Sequence, residues 1–332
     1  MHRLVCCLLV LPLSFFYAHR TLADTVAADL ATEGFIQDMV DRHGFSLAEL
    51  NVLFKQAAFQ EEVIAAITSP AESKAWHQYR SIFLTPERIK GGADFLIQHA
   101  VTLKKAEEAY GVPAEIIVAI LGVETRFGLR TGRFRVIDSL ATLALYYPPR
   151  ASFFRRQLEE FLLLAREEKF DPLTVYGSYA GAIGQAQFIP SSYRRHAVDF
   201  DGDQRRDLST TVDAIGSIAN YLKTHGWEAS SAIAHRATPK DDQTLQRVAQ
   251  GYKPQVLASE LRKSGLQFVA DVADNQRGGF IQLELETGPE YWVTWKNFHA
   301  ITEYNHSPLY AMAVYQLSQE IRAATSKVAQ SP

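Results

Sequence analysis

The 332-residue sequence predicts a mainly helical α+β protein carrying one small antiparallel β insertion. Three observations carry that expectation. Apolar residues recur at helical spacing through residues 29–110, and the almost wholly apolar run Ile116 to Val123 marks a helix central to the core. Period-two alternation appears only late, in "GGFIQLELET", Gly278 to Thr287.

Taken in order, residues 1–23 read as a signal peptide. His2 and Arg3 precede "LVCCLLVLPLSFFY", too short and too Pro-broken to span a membrane well, and small residues follow where a peptidase would cut after Ala23. An uncleaved anchor is the alternative. Cys6 and Cys7 both lie in this segment, so the mature chain has no thiol, which excludes a disulfide scaffold and a cysteine metal site. They sit at the start of the apolar region rather than after it, which argues against lipidation. The mature chain has 32 basic against 37 acidic residues, a net of −5. That leaves no electrostatic footprint for nucleic acid and no polybasic membrane-binding segment.

"GFIQDMVDRHGFSLAELNVLFKQA" predicts two short helices, the second opened by a capping box of Ser46 and Glu49. "LTPERIKGGADFLIQHAVTLKKAEEAYG" predicts one long helix, with Thr85 as cap, Pro86 in the first turn and Gly111 as its stop. Pro113 opens the central helix "AEIIVAILGVET", and Ser152 to Glu168 forms another. Residues 177–193 are Gly-rich and irregular, and Thr211 to Trp227 is helical to Gly226. "PEYWVTWKNF" pairs with the alternating strand as a hairpin across Gly288-Pro289. "PLYAMAVYQLSQEIRAA" forms the last helix before a polar tail.

Glu124 stands directly after the apolar run. Desolvation there would raise its pKa, as a general acid needs near neutral pH, but pairing with Arg126 or Arg130 would make it structural. In "YGSYAGAIGQAQFIPSSY", glycines allow close approach, Ser178, Gln185 and Gln187 offer neutral hydrogen bonds, and Tyr176, Tyr179 and Phe188 offer flat faces. That mixture suits an N-acetylated sugar; a tight turn entering a helix is the bland reading. Asp199, Asp201 and Asp203 follow the D-x-D-x-D start of a calcium loop, but Gln204 replaces its glycine and Thr210 its closing Glu. Asp213 offers a late carboxylate, while Arg205 and Arg206 would neutralise a merely solvated turn. His306, in "TEYNHSPLYAM", reads as a hydrogen-bonded residue more readily than as a proton carrier. There is no HExxH, GxSxG or phosphate loop, which disfavours zinc proteases, α/β-hydrolases and P-loop enzymes.

Together "YGVPAEIIVAILGVETRFG", "GSYAGAIGQAQFIPSSYRRHAVDFDGD", "DAIGSIANYLKTHGW" and "YNHSPLYAMAV" resemble the lytic murein transglycosylase B family, over Phe35 to Arg322. The resemblance implies a lysozyme-like core and cleavage of the MurNAc–GlcNAc bond of peptidoglycan, and the signal peptide cleaved near Ala23 implies a periplasmic location. It implies Glu124 as the single acid/base, and Ser178, Gln187, Phe188, Tyr221, Tyr304 and Tyr310 as saccharide contacts, with Asn305 beside them to position the N-acetyl group. A structural Ca²⁺ would bind Asp199, Asp201, Asp203, the Arg205 carbonyl and Asp213, with no cofactor needed for the chemistry. Phe153 stands where a tyrosine is expected. The implied organisation is a signal peptide 1–23, a helical region 24–110, a catalytic core 111–235 holding the EF-hand-like loop 199–213, a helical and β region 236–300, a returning helix 301–325 and a tail 326–332. Expected partners are glycan strands and other cell-wall enzymes, for a monomer. Competing functions are a muramidase-like hydrolase, a non-catalytic peptidoglycan-binding protein and a calcium-responsive regulator.

Overall fold

A computed structural model describes residues 22–68, 74–269 and 271–329. The predicted signal peptide lies outside them, apart from its last two residues. Two compact units divide at Lys55.

The first unit, over its described residues, holds α1 (Leu22–His43) and α2 (Leu47–Gln56). Gly44, in the left-handed conformation with φ 65°, ends α1, and the Ser46 hydroxyl accepts the Glu49 N–H at 3.3 Å to start α2. Phe35 and Phe54 meet edge to face, 5.6 Å between centroids.

The second unit begins with α3 (Glu61–Ile67), α4 (Trp76–Phe83), α5 (Pro86–Gln98), α6 (Ala100–Tyr110) and α7 (Ala114–Thr125). Thr85 caps α5 and Gly111, at φ 70°, ends α6, as the sequence predicts. The long helix expected between them is instead broken at His99, whose φ of −107° and ψ of 20° leave the helical range. No Gly or Pro marks the break; the His99 ring lies tilted against Phe95, 4.3 Å between centroids. Helix α7 is buried from Ile116 to Gly122 and packs on α5, α6 and two later helices, α11 (Thr211–Thr224) and α15 (Pro308–Ala329). Between α7 and α11 come α8 (Val136–Tyr146), α9 (Ala151–Glu168) and α10 (Pro190–His196). Helix α15 runs through most of the expected polar tail. Its Thr325 and Ser326 hydroxyls bond back to Ile321 and Arg322 carbonyls, and no Gly or Pro stops it before Pro332.

Strands β1 (Phe134–Arg135) and β2 (Tyr176–Gly177) pair beside the Gly-rich segment. A second sheet contains β3 (Ala234–Pro239), β4 (Gly251–Leu257), β5 (Leu266–Gln267), β6 (Arg277–Leu285) and β7 (Gly288–Thr294), all antiparallel in the order β4-β6-β7-β3-β5. The predicted hairpin is β6–β7, but Leu285 pairs with Gly288, so Glu286 and Thr287 make the turn and Gly288-Pro289 begins the strand. The insertion is thus a five-stranded sheet over its own core of Phe280, Val293, Trp295, Leu261 and Leu266. Pro254 sits in β4, an edge strand whose pairing with β6 shifts register between Gly251 and Val256, a place where a missing N–H is tolerated. Helices α12 (Asp242–Arg247) and α13 (Ala258–Lys263) lie between the sheet's strands, and α14 (Lys296–Thr302) then leads back to α15.

Candidate active site

Glu124 is placed by a strained turn. Arg126, Phe127 and Gly128 are all left-handed, at φ 50°, 62° and 84°. For two non-glycine residues that costs energy, so the surroundings must hold it. The Phe127 ring does so, lying against Gly91, Gly92 and Gly122; a Cβ on Gly122 would come within 2.8 Å of it. Thr125 adds a buried clamp, its hydroxyl accepting from Gly128 N–H at 2.9 Å and donating to the Gln185 carbonyl at 3.1 Å.

The Glu124 carboxyl is half-buried and accepts the Tyr310 hydroxyl at 2.7 Å. Neither Arg126 nor Arg130 forms an ion pair among the described residues, so the structural pairing that would have competed with catalysis is not made. Tyr310 is buried and stacks on Tyr304, whose hydroxyl donates to the Ala186 carbonyl at 2.6 Å. Burial, then the Glu124 charge, pushes both tyrosine hydroxyls well above their ordinary value, so they stay protonated donors.

A cleft of about 620 Å³ brings Glu124 together with Ser178, Gln187, Phe188, Tyr221, Tyr304 and Asn305. Tyr310 is not among the residues lining it and meets Glu124 through its hydroxyl. Phe188, Tyr221 and Tyr304 form an aromatic cluster with centroids 4.9 to 5.7 Å apart. The Tyr221 hydroxyl donates to the Glu303 carbonyl at 2.6 Å, and burial pushes it up to about 12.

The Gly-rich segment supplies much of the lining, Phe188 included. Gly184, at φ 70°, lies so close to Leu208 that a Cβ would sit 2.4 Å from its carbonyl oxygen. Gln185 is a strut, its amide donating to the Ser209 carbonyl at 2.8 Å. Gln187, at φ 52°, donates through Nε2 to the Thr131 and Gly184 carbonyls at 2.9 and 2.8 Å, which leaves Oε1 as its acceptor. Ser178 Oγ accepts N–H bonds from Ala180 and Ala182 at 3.3 and 3.0 Å, which leaves its hydroxyl hydrogen to donate.

Sequence reasoning missed Arg150 and Glu303 in this cleft. Arg150 lies over the Phe153 ring, 4.2 Å to the centroid. Glu303 is a second carboxylate in the cleft wall, 3.6 Å from His299 Nε2. Its charge acts on Tyr221, whereas that of Glu124 acts on Tyr304 and Tyr310. His306 lines the rim. Asp138 is buried in a structural pair with Arg135 at 2.8 Å.

In the acidic loop, Asp199, Asp201 and Asp213 offer oxygens within 4.8 Å of one another, the hard-oxygen set a Ca²⁺ takes. Gln204 adopts φ 70° and so meets the conformation for which the motif uses glycine. Asp213, buried at 1% exposure, accepts the Phe200 and Asp207 N–H groups at 2.8 and 2.7 Å. Burial raises its carboxyl despite those bonds, so a cation would be well answered there. Asp203 is not in this cluster; its carboxylate accepts the Arg205 N–H at 2.8 Å.

Residues 27–319 match the transglycosylase SLT domain family. Membrane-bound lytic murein transglycosylase B of Escherichia coli (strain K12) is 42% identical over 300 residues, 87% of this chain and 82% of that one. The soluble lytic transglycosylase SltB1 from Pseudomonas aeruginosa superposes with a TM-score of 0.85 at 46% identity, covering 89% of this chain and 99% of that one. Escherichia coli lytic transglycosylase Slt35 in complex with calcium gives a TM-score of 0.83 at 42% identity, covering 89% and 93%. With a match of that length across the helical core and the Glu124 cleft alike, the chain belongs to the transglycosylase SLT domain family.

Proposed function

We propose that this chain cleaves the β-1,4 bond between N-acetylmuramic acid and N-acetylglucosamine in peptidoglycan, closing a 1,6-anhydro ring on the muramoyl product. The observation that carries this reading is the pairing of one held carboxyl with a neutral donor–acceptor wall. The Ser178 O–H faces the cleft as a donor and Gln187 Oε1 as an acceptor, complementary to the C=O and N–H of an acetamido group. Phe188, Tyr221 and Tyr304 offer faces to sugar rings.

Glu124 gives its proton to the glycosidic oxygen, and the C1–O bond breaks. The substrate's acetamido oxygen stabilises C1, as in substrate-assisted glycosidases. The C6 hydroxyl oxygen then bonds to C1 and returns its proton to Glu124, so no water is consumed and the acid is reset. Tyr310 holds the carboxylate stage by its hydrogen bond. Glu303, paired towards His299, is given no step. Asp199, Asp201 and Asp213 would hold a Ca²⁺, which would cross-link the loop to the start of α11 and play no part in the chemistry.

We further infer export to the periplasm, from the reading of residues 1–23. No helix among the described residues is long and apolar enough to cross a membrane. The test is digestion of purified sacculi, with mass spectrometry of the muropeptides separating anhydro from reducing ends.

A further inference from the structure

Three arginines meet where α5 packs on the turn that follows Glu124: Arg88 stands on α5 one turn before Gly91 and Gly92, which lie against the Phe127 ring, Arg126 precedes that ring, and the Arg130 N–H closes the turn on the Thr125 carbonyl at 2.9 Å; no described carboxylate pairs with any of them. Arg88 is only 7% exposed and lies on the face of α5 that continues through Gly91 and Gly92 to Phe95, where the Phe127 ring packs. Its guanidinium rests 5.1 Å from the Phe83 centroid, and its buried Nη1 has no hydrogen-bond partner. Arg126 caps α7 and Arg130 follows the turn, both exposed. The neighbouring Glu87 carboxyl is engaged by its own backbone N–H and the Thr85 hydroxyl. Burial, then the charges of Arg126 and Arg130, lowers Arg88 to about 10, so it still carries its proton at neutral pH.

A buried cation with an unanswered N–H is unfavourable, and two like charges beside it add to the cost. The Phe83 face offsets part of this. An oxyanion would answer all three guanidinium groups, whose planar forks match carboxylate and phosphate oxygens. We propose that Arg88, Arg126 and Arg130 form an oxyanion-binding site, for a carboxylate or phosphate group, on the back of the Glu124 turn. None of the three lines the 620 Å³ cleft, so this is a separate site. A bound anion ties α5 to the left-handed turn at Arg126 and Phe127 and so stiffens the support of Glu124. Carboxylates of peptidoglycan peptide stems and free inorganic anions carry the same chemistry. The site rests on its own geometry and does not depend on the reaction proposed for the cleft.

The test is titration of the full chain with inorganic phosphate at constant ionic strength, read by calorimetry and by melting temperature against matched chloride. Wild type is expected to bind saturably and to melt higher. The Arg126→Gln/Arg130→Gln double variant changes only exposed side chains, and is expected to bind at least tenfold more weakly while keeping its circular dichroism spectrum. Arg88→Met, a second variant, is expected to lose phosphate binding without losing its melting temperature in chloride. No saturable binding by wild type, or equal binding by the double variant, overturns the proposal. A stem-bearing muropeptide added to phosphate-loaded Glu124→Gln protein separates the sources: displacement of phosphate assigns the stem carboxylate, and retention assigns a free anion.

Discussion

The Tyr310 hydroxyl donates a 2.7 Å hydrogen bond to Oε1 of Glu124 from a position buried behind the cleft wall. A neutral donor there lets one carboxyl alternate between acid and base, because it supports the carboxylate without supplying a counter-charge. Hydrogen bonds to charged groups contribute roughly 1.5–3 kcal/mol. Tyr310→Phe should therefore lower kcat by about 10- to 100-fold with KM little changed, since the hydroxyl does not line the cleft. Steady-state kinetics on soluble glycan strands measures this, and a rise in KM alone would refute the role.

Ser178 and Gln187 should read the acetamido group. Losing one neutral hydrogen bond is worth about 0.5–1.5 kcal/mol. Ser178→Ala should then weaken binding of N-acetylated glycan several-fold, yet leave de-N-acetylated glycan almost unaffected. Equal losses on both substrates would remove Ser178 from that contact.

Glu303 offers the alternative carboxylate that a hydrolase would need. If the single-carboxylate reaction is right, Glu303→Gln should keep most of the activity and all of the anhydro product. A Glu303→Gln protein as inactive as Glu124→Gln would return the second carboxylate to the chemistry.

Calcium should stabilise without being required for turnover. At a concentration 100-fold above its dissociation constant a ligand adds about 2.7 kcal/mol of stability, or roughly 4 °C in melting temperature for a chain of this length. Chelation should reverse the shift, and Asp201→Asn should reduce it. An unchanged melting curve at millimolar Ca²⁺ would argue against the site.

His196 sets an acid limit on stability. Burial, and then the charges of His225 and Arg195, lowers it to about 4 in the folded chain. The unfolded chain takes up that proton near pH 6.5, so acidification favours unfolding between about 6.5 and about 4, and the contribution is fully present above that window. Melting temperature against pH should fall less steeply in this window for His196→Gln than for wild type.

The parts legible in the sequence were those with local signatures. Thr85, Pro86 and Gly111 bound helices as their chemistry dictates, and the apolar helix that carries Glu124 in its last turn is buried from Ile116 to Gly122. What escaped was non-local. His99 breaks a helix with no Gly or Pro to announce it, and β3, β4 and β5 are short or carry prolines, so β4 and β3 are placed by pairing with β6 and β7, and β5 by pairing with β3, rather than by alternation of their own. Glu303 and Arg150 enter the cleft from elements far from Glu124 along the chain, with no motif to mark them. The resemblance implied Tyr310 as a saccharide contact, and packing adds what no local motif announces, the hydrogen bond of its hydroxyl to Glu124. Gln204 looked like a defect in the calcium loop; its φ of 70° shows the backbone turn is made without glycine.

The central claim is that Glu124 alone acts first as acid and then as base, and it is tested most directly by mass spectrometry of muropeptides released from purified sacculi. Wild type should yield 1,6-anhydro ends with no uptake of ¹⁸O from labelled water, and Glu124→Gln should lower release by about 10⁴-fold or more, the upper end for a general acid/base. Reducing ends carrying ¹⁸O, or undiminished release by Glu124→Gln, would contradict it.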